Sequence, residues 1–142
     1  MVTMFDEDAA RSRSHGLRPE VVAAQADRLG LRQIVGRCTW STYDAQFSDA
    51  LARLTADGIT HVVFGDILFD EHRQWAERMC EPHRLTAVEP LFGRSTQSLF
   101  HEWIASGGQS FMQCGCSQCR HEVGTWIEAK VGPASRLSRE TP

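Results

Sequence analysis

Long apolar runs are missing from this chain of 142 residues. None approaches the ~18 residues that a membrane-crossing helix requires, which excludes a membrane-spanning helix. An excess of basic charge is missing as well: the formal net charge is −3 and the isoelectric point is near 6.0. That balance argues against broad binding to nucleic-acid phosphates. The first residues, Met1 to Asp8, hold neither the basic n-region nor the apolar h-region of a secretory leader. Nor is there an even set of cysteines. The five present are Cys38, Cys80, Cys114, Cys116 and Cys119. Free thiols, or a metal, in a reducing cytoplasm fit them better than a disulfide framework.

What remains is an ordinary globular composition, with 42 % apolar and 23 % charged residues. The length suits one domain with a real core. Val2 to Phe5 reads as a short strand, followed by a charged loop from Asp6 to Gly16. Pro19 suits the first turn of a helix, and Val21, Val22, Ala26 and Leu29 keep helical spacing up to a stop at Gly30. Arg32 to Gly36 is a weaker strand. Ser41 or Thr42 is placed to cap the next helix, whose Phe47, Leu51 and Leu54 form an amphipathic stripe closed by Asp57 and Gly58. Thr60 to Gly65 is the strongest strand, apolar on both faces as a buried parallel strand is. A helix runs on to about Glu81, ahead of Pro82. Leu85 to Val88 is a further strand, and a helix capped by Ser95 or Thr96 ends at Gly107 and Gly108.

Strands that alternate with helices predict an α/β fold, a parallel sheet covered by helices on both faces. The domain is expected to span residues 1–112. Residues 113–142 read as an irregular Cys-rich segment and a polar tail. In such sheets ligands bind beyond the carboxyl ends of the strands. Four segments therefore matter: Asp6 to Gly16, Gly36 to Tyr43, Gly65 to Phe69, and Glu89 to Thr96. Gly65 allows close approach of a ligand to the backbone, and Asp66 can hold a ribose hydroxyl or a metal. On spacing alone Asp66 serves equally as a cap of the helix behind it. Arg94 can grip a phosphate or carboxylate beside the hydroxyls of Ser95 and Thr96, or the segment is a loop with an ordinary cap. His15 is either a ligand contact or structural. Cys114, Cys116, Cys119 and His121 could form a tetrahedral zinc site. Their packing into one short run fits a redox pair or a tail of free thiols as well.

The runs Thr60-His61-Val62-Val63-Phe64-Gly65-Asp66-Ile67 and Glu89-Pro90-Leu91-Phe92-Gly93-Arg94-Ser95-Thr96 resemble the diphthine–ammonia ligase family of PP-loop ATP pyrophosphatases. Ser14-His15-Gly16, the helix after it with Gln25 to Leu31, and Asp70 to Glu77 are similar to that family too. The resemblance implies an adenine nucleotide α-hydrolase-like fold with strand order 3-2-1-4-5. It implies use of ATP with magnesium to adenylate a small-molecule or protein carboxylate, which ammonia then converts to an amide. It places Gly65, Asp66, Gly93, Arg94, Thr96 and His15 as candidate nucleotide contacts.

The family's Ser-Gly-Gly-Lys-Asp-Ser phosphate loop has no counterpart here. Ser106-Gly107-Gly108-Gln109-Ser110 follows a helix where that loop follows a strand. By the resemblance, Val2 to Phe5 takes the place of the family's second strand, so the first strand is missing from the expected fold. The strands beside the gap are then expected to keep unpaired inner edges or to pair directly. The expected explanations are a truncated reading of a longer protein, or a chain that repacks or forms a homodimer. Three functions compete at this point: an incomplete ATP-binding ligase domain, a non-catalytic α/β partner- or ligand-binding module, and a small zinc protein.

Overall fold

The computed structural model describes residues 1–107. The cysteine cluster of residues 114–121 lies outside the described residues, as does the remainder of the tail. The chain divides into two compact units, Met1–Phe92 and a second beginning at Gly93.

In the first unit the order is β1 (Val2–Phe5), α1 (Pro19–Arg28), β2 (Ile34–Arg37), α2 (Tyr43–Ala56), β3 (His61–Val63), α3 (Asp70–Cys80), a 3-10 turn (Glu81–His83) and β4 (Thr86–Val88). Both strand pairings are parallel. β1 lies beside β2 with Val2 opposite Ile34, and β3 beside β4 with His61 opposite Thr86. These are two separate two-stranded sheets. β1 and β3 therefore do not pair directly, one of the two outcomes the sequence left open. Part of β1's second edge is used locally: Phe5 bridges antiparallel to Ser12, and the Arg13 N–H donates to the Met4 carbonyl at 2.8 Å.

A two-stranded ribbon is marginal by itself, and here α2 supplies what both ribbons lack. Its predicted stripe points inward, with Leu51 fully buried and Phe47 nearly so. One cluster joins Met4 of β1 and Cys38 beyond β2 to Phe47, Leu51, Cys80 and Leu85. Val62, Phe64 and Ala87 of the second ribbon pack against the same cluster. Phe47 meets Trp75 of α3 with ring centroids 5.0 Å apart, and Phe64 at 6.3 Å.

Two local readings are corrected. Thr42 stands at the N-cap of α2 but makes no capping bond. Its hydroxyl accepts the Thr39 N–H at 2.9 Å instead, because Thr39, Ser41 and Thr42 form a closer mesh of their own. β3 is shorter than Thr60 to Gly65, and it is not buried on both faces. His61 is exposed and Val63 is 69 % exposed. A ribbon of two strands packs its core side through Val62 and leaves the alternate residues outward.

In the second unit, α4 (Thr96–Ala105) is capped as expected, the Ser95 hydroxyl accepting the Ser98 N–H. It stops at Gly107, whose φ of +87° suits a glycine terminator.

Leu51→Ala should lower unfolding free energy by about 2–5 kcal/mol, since a methylene-rich side chain leaves a cavity shared by both ribbons. Urea unfolding followed by circular dichroism measures it; a loss below ~1 kcal/mol would mean the two ribbons do not share one core.

Candidate site at the carboxyl ends of the strands

Within each ribbon the parallel strands send their carboxyl ends to one side, and the loops that leave them carry the polar side chains. From β1 the chain enters Asp6 to Gly16. Its path is held by Asp6, whose carboxylate accepts the Arg11 N–H at 2.9 Å. That bond is the chief reason the Asp6 carboxyl titrates below its ordinary range. Ser12 is buried, and its hydroxyl accepts the Leu17 N–H at 3.0 Å. His15 is exposed within this loop.

Arg13 projects from the same loop. Its guanidinium carbon lies 5.0 Å from the centre of the Trp40 ring, a cation–π contact across the ends of β1 and β2. The Arg13 Nε is buried without a hydrogen-bond partner. Trp40 stacks on Tyr43 at 5.8 Å and is still 67 % exposed. Beneath them, the Cys38 thiol donates to the Phe5 carbonyl at 3.6 Å. Burial pushes that thiol's pKa up, and the Arg13 charge pulls against it. A raised pKa keeps Cys38 a thiol and a poor nucleophile.

At the end of β3, Gly65 has open space where a Cβ would stand. Asp66 follows, and it does not cap α3 through a backbone N–H; Phe69 holds the N-cap position. Its Oδ1 pairs with the His72 Nδ1 at 2.8 Å, both side chains partly open to solvent. At the end of β4 stands Glu89, the group that spacing alone did not single out. Part of its stem reaches the surface, but both carboxyl oxygens are shut off from solvent and have no partner. Desolvation raises its pKa first, and the neighbouring Asp66 charge adds to that, while Arg73 opposes it. Arg73 is turned elsewhere, 3.8 Å from Glu77 and over the Phe92 ring at 4.9 Å.

The other predicted residues belong to the second unit. Gly93 has a φ of +75° and turns the chain. Arg94, ahead of the helix, pairs with Glu102 of α4, and Thr96 is the exposed first residue of α4. Among the described residues no three His, Cys, Asp or Glu side chains converge as a metal site. None of their helices is long and apolar enough to cross a membrane.

Arg13, Trp40 and Glu89 are the features that sequence reasoning does not single out, although their segments, Asp6 to Gly16, Gly36 to Tyr43 and Glu89 to Thr96, are among the four it marks. The available signal was position: each stands in the first residues beyond a parallel strand, or in the loop that leaves it.

A carboxyl with a raised folded pKa binds its proton more tightly in the folded state. Stability is therefore lost as pH rises from the unfolded value near 4.5 through the raised one. Glu89→Gln should remove that loss. Thermal unfolding of both proteins between about pH 4 and pH 7 should show the wild type falling relative to the variant; parallel curves would contradict a desolvated Glu89.

No curated protein and no solved structure gave a match. A family model does, the diphthamide synthase N-terminal domain, over residues 1–86, more than half of the chain. The matched span contains β1 to β3, α1 to α3 and the Gly65-Asp66 pair, and it ends at the start of β4. The parallel α/β elements and the polar loops at their carboxyl ends agree with it. This chain belongs to the diphthamide synthase N-terminal domain family, within the PP-loop ATP pyrophosphatases.

Proposed function

We propose that this chain is an adenine-nucleotide-binding domain of the amide-forming ligase type, and that ATP binds beyond the carboxyl ends of its strands. The family match over residues 1–86 carries this reading. Three local features support it. Gly65 leaves open room beside the backbone. Asp66 is held in place by His72. Arg13 places a guanidinium beyond the end of β1, over the Trp40 ring. Magnesium bound with a nucleotide commonly takes one or two protein carboxylates, and Asp66 and Glu89 are the candidates at these strand ends. Gly93, Arg94 and Thr96 are proposed contacts of the nucleotide or of the carboxylate acceptor. A small-molecule or protein carboxylate is the acceptor class, in the cytoplasm, where the free thiols of Cys38 and Cys80 are at home.

Glycine-rich strand-to-helix loops cradle phosphates with successive N–H groups. Among the described residues no strand runs into such a loop, so the proposal is nucleotide binding with little or no turnover by this chain alone.

Calorimetry with ATP and magnesium on the full chain tests the proposal. Micromolar affinity is the expected result, and absence of heat at millimolar ATP would reject the reading. Asp66→Ala should weaken binding about tenfold, the scale of one lost charge-assisted contact. It should leave the unfolding transition in place, since Asp66 is outside the core. Gly65→Ala gives an independent check: an added methyl meets nothing in the free protein, so lost affinity at unchanged stability would locate the ligand against this backbone.

A further inference from the structure

We infer that the outer edge of β2 is a docking edge for a second polypeptide, which adds to the β1–β2 ribbon as an extended strand with an apolar centre and acidic flanks. The inference does not rest on the nucleotide reading. It concerns the edge of the ribbon and not the loops at its carboxyl end.

The ladder bonds show which groups of β2 are spare. Ile34 and Cys38 donate their N–H groups to the Met1 and Phe5 carbonyls, at 2.8 and 3.0 Å. Backbone groups of alternate residues point to opposite edges of a parallel strand, so those of Gln33, Val35 and Arg37 point away from β1. Among the described residues no further strand lies beside β2, and no backbone hydrogen bond reaches these three residues from elsewhere. Sheet edges are commonly blunted by a proline or a bulge. Here the pairing of Val2–Phe5 with Ile34–Arg37 runs without interruption, and the strand has no proline. Between Gln33 and Arg37 stands Val35, 42 % exposed.

The charge around the edge selects the occupant. A recess of about 390 Å³ lies beside it, lined by Arg32 to Val35 and by Arg53, Ala56 and Asp57 at the end of α2. Asp57 is already paired with Arg32. Arg37 and Arg53 are exposed, and among the described residues neither has an ion pair. The edge is therefore cationic on a chain whose formal net charge is −3. A second copy meeting this one edge to edge about a two-fold axis would bring the same arginines together. Like charges on facing strands are unfavourable and opposite charges favourable, so an acidic strand is the better partner. Val35 asks for an apolar residue opposite it. Arg37, two residues on and on the same face, asks for an acidic residue at the same spacing. Main-chain bonds supply the affinity of such strand addition, and alternate side chains its selectivity.

A blocked peptide, acetyl-Glu-Thr-Val-Thr-Glu-amide, carries this pattern in either direction and serves as the probe. Titrated into the isotope-labelled full chain, it should shift the amide signals of Gln33, Val35 and Arg37 and slow exchange of their hydrogens by about tenfold or more. Acetyl-Lys-Thr-Val-Thr-Lys-amide should bind about tenfold more weakly, and Arg37→Glu should reverse the order of the two peptides. Methylating the backbone nitrogens of the acidic peptide removes its ladder donors and should abolish binding. No shift at about 10 mM acidic peptide, where even a millimolar complex is largely formed, would overturn the inference. Equal binding of the methylated peptide would overturn strand addition, and equal binding of the lysine peptide would overturn the acidic partner. Sedimentation showing a concentration-dependent dimer, with the β2 amides protected before any peptide is added, would assign the edge to a second copy and overturn it as well.

Discussion

The packing of Phe47 and Leu51 of α2 between two strand pairs is the interaction on which the rest of the first unit depends. Neither ribbon has enough buried surface to stand alone. β1 and β2 contribute Met4 and, just past their end, Cys38; β3 and β4 contribute Val62, Phe64 and Ala87. All of them meet on α2 and on the α3 residues Trp75, Met79 and Cys80. The carboxyl ends of the four strands keep their positions only as long as that helix holds both ribbons, so the geometry of the candidate site is set by residues that touch no ligand.

The sheet hydrogen bonds divide the work differently. Within each ribbon they fix register, placing Phe5 opposite Arg37 and Val63 opposite Val88. That register brings the Arg13 loop alongside Trp40, and Glu89 alongside the end of β3. Side-chain bonds then hold the loops: Asp6 to Arg11, Ser12 to Leu17, Thr39 to Thr42, Asp66 to His72. Exposed contacts of this kind add little stability each. Their effect is to limit the conformations of the loops that leave the strands.

Much of this was legible in the sequence where periodicity carries the information. The Phe47, Leu51 and Leu54 stripe, Pro19 at the start of α1, the Ser95 cap and the Gly107 stop all behave as their local chemistry dictates. The Gly65-Asp66 pair was legible for the same reason, because a strand and a following helix bracket it. Thr42 was misread because three neighbouring hydroxyls compete for the same N–H groups, and spacing does not say which bond wins. β3 was misread because its apolar run signals burial but not how many strands cover it. Arg13 and Trp40 lie 27 positions apart in sequence, and only the parallel pairing of β1 with β2 sets them face to face. For Glu89 position beyond β4 was the only signal: the loss of solvent around its carboxyl, and the Asp66 charge that adds to it, are set by the fold and not by spacing.

The distribution of unsatisfied groups adds an argument that none of these elements makes alone. Among the described residues, the side-chain polar atoms buried without a partner are Arg13 Nε and both carboxyl oxygens of Glu89. Each such group costs about 1–3 kcal/mol when left unmade, and native cores rarely keep them. Here they are absent from the core and confined to the carboxyl ends of the strands. They are also of opposite character, a cationic donor beyond β1 and an acidic acceptor beyond β4. Arg13 and Glu89 follow strands of different ribbons, so each ribbon carries one such group just beyond a strand end and none in the shared core. That placement is in keeping with the proposed magnesium nucleotide, which carries both phosphate oxygens and a metal.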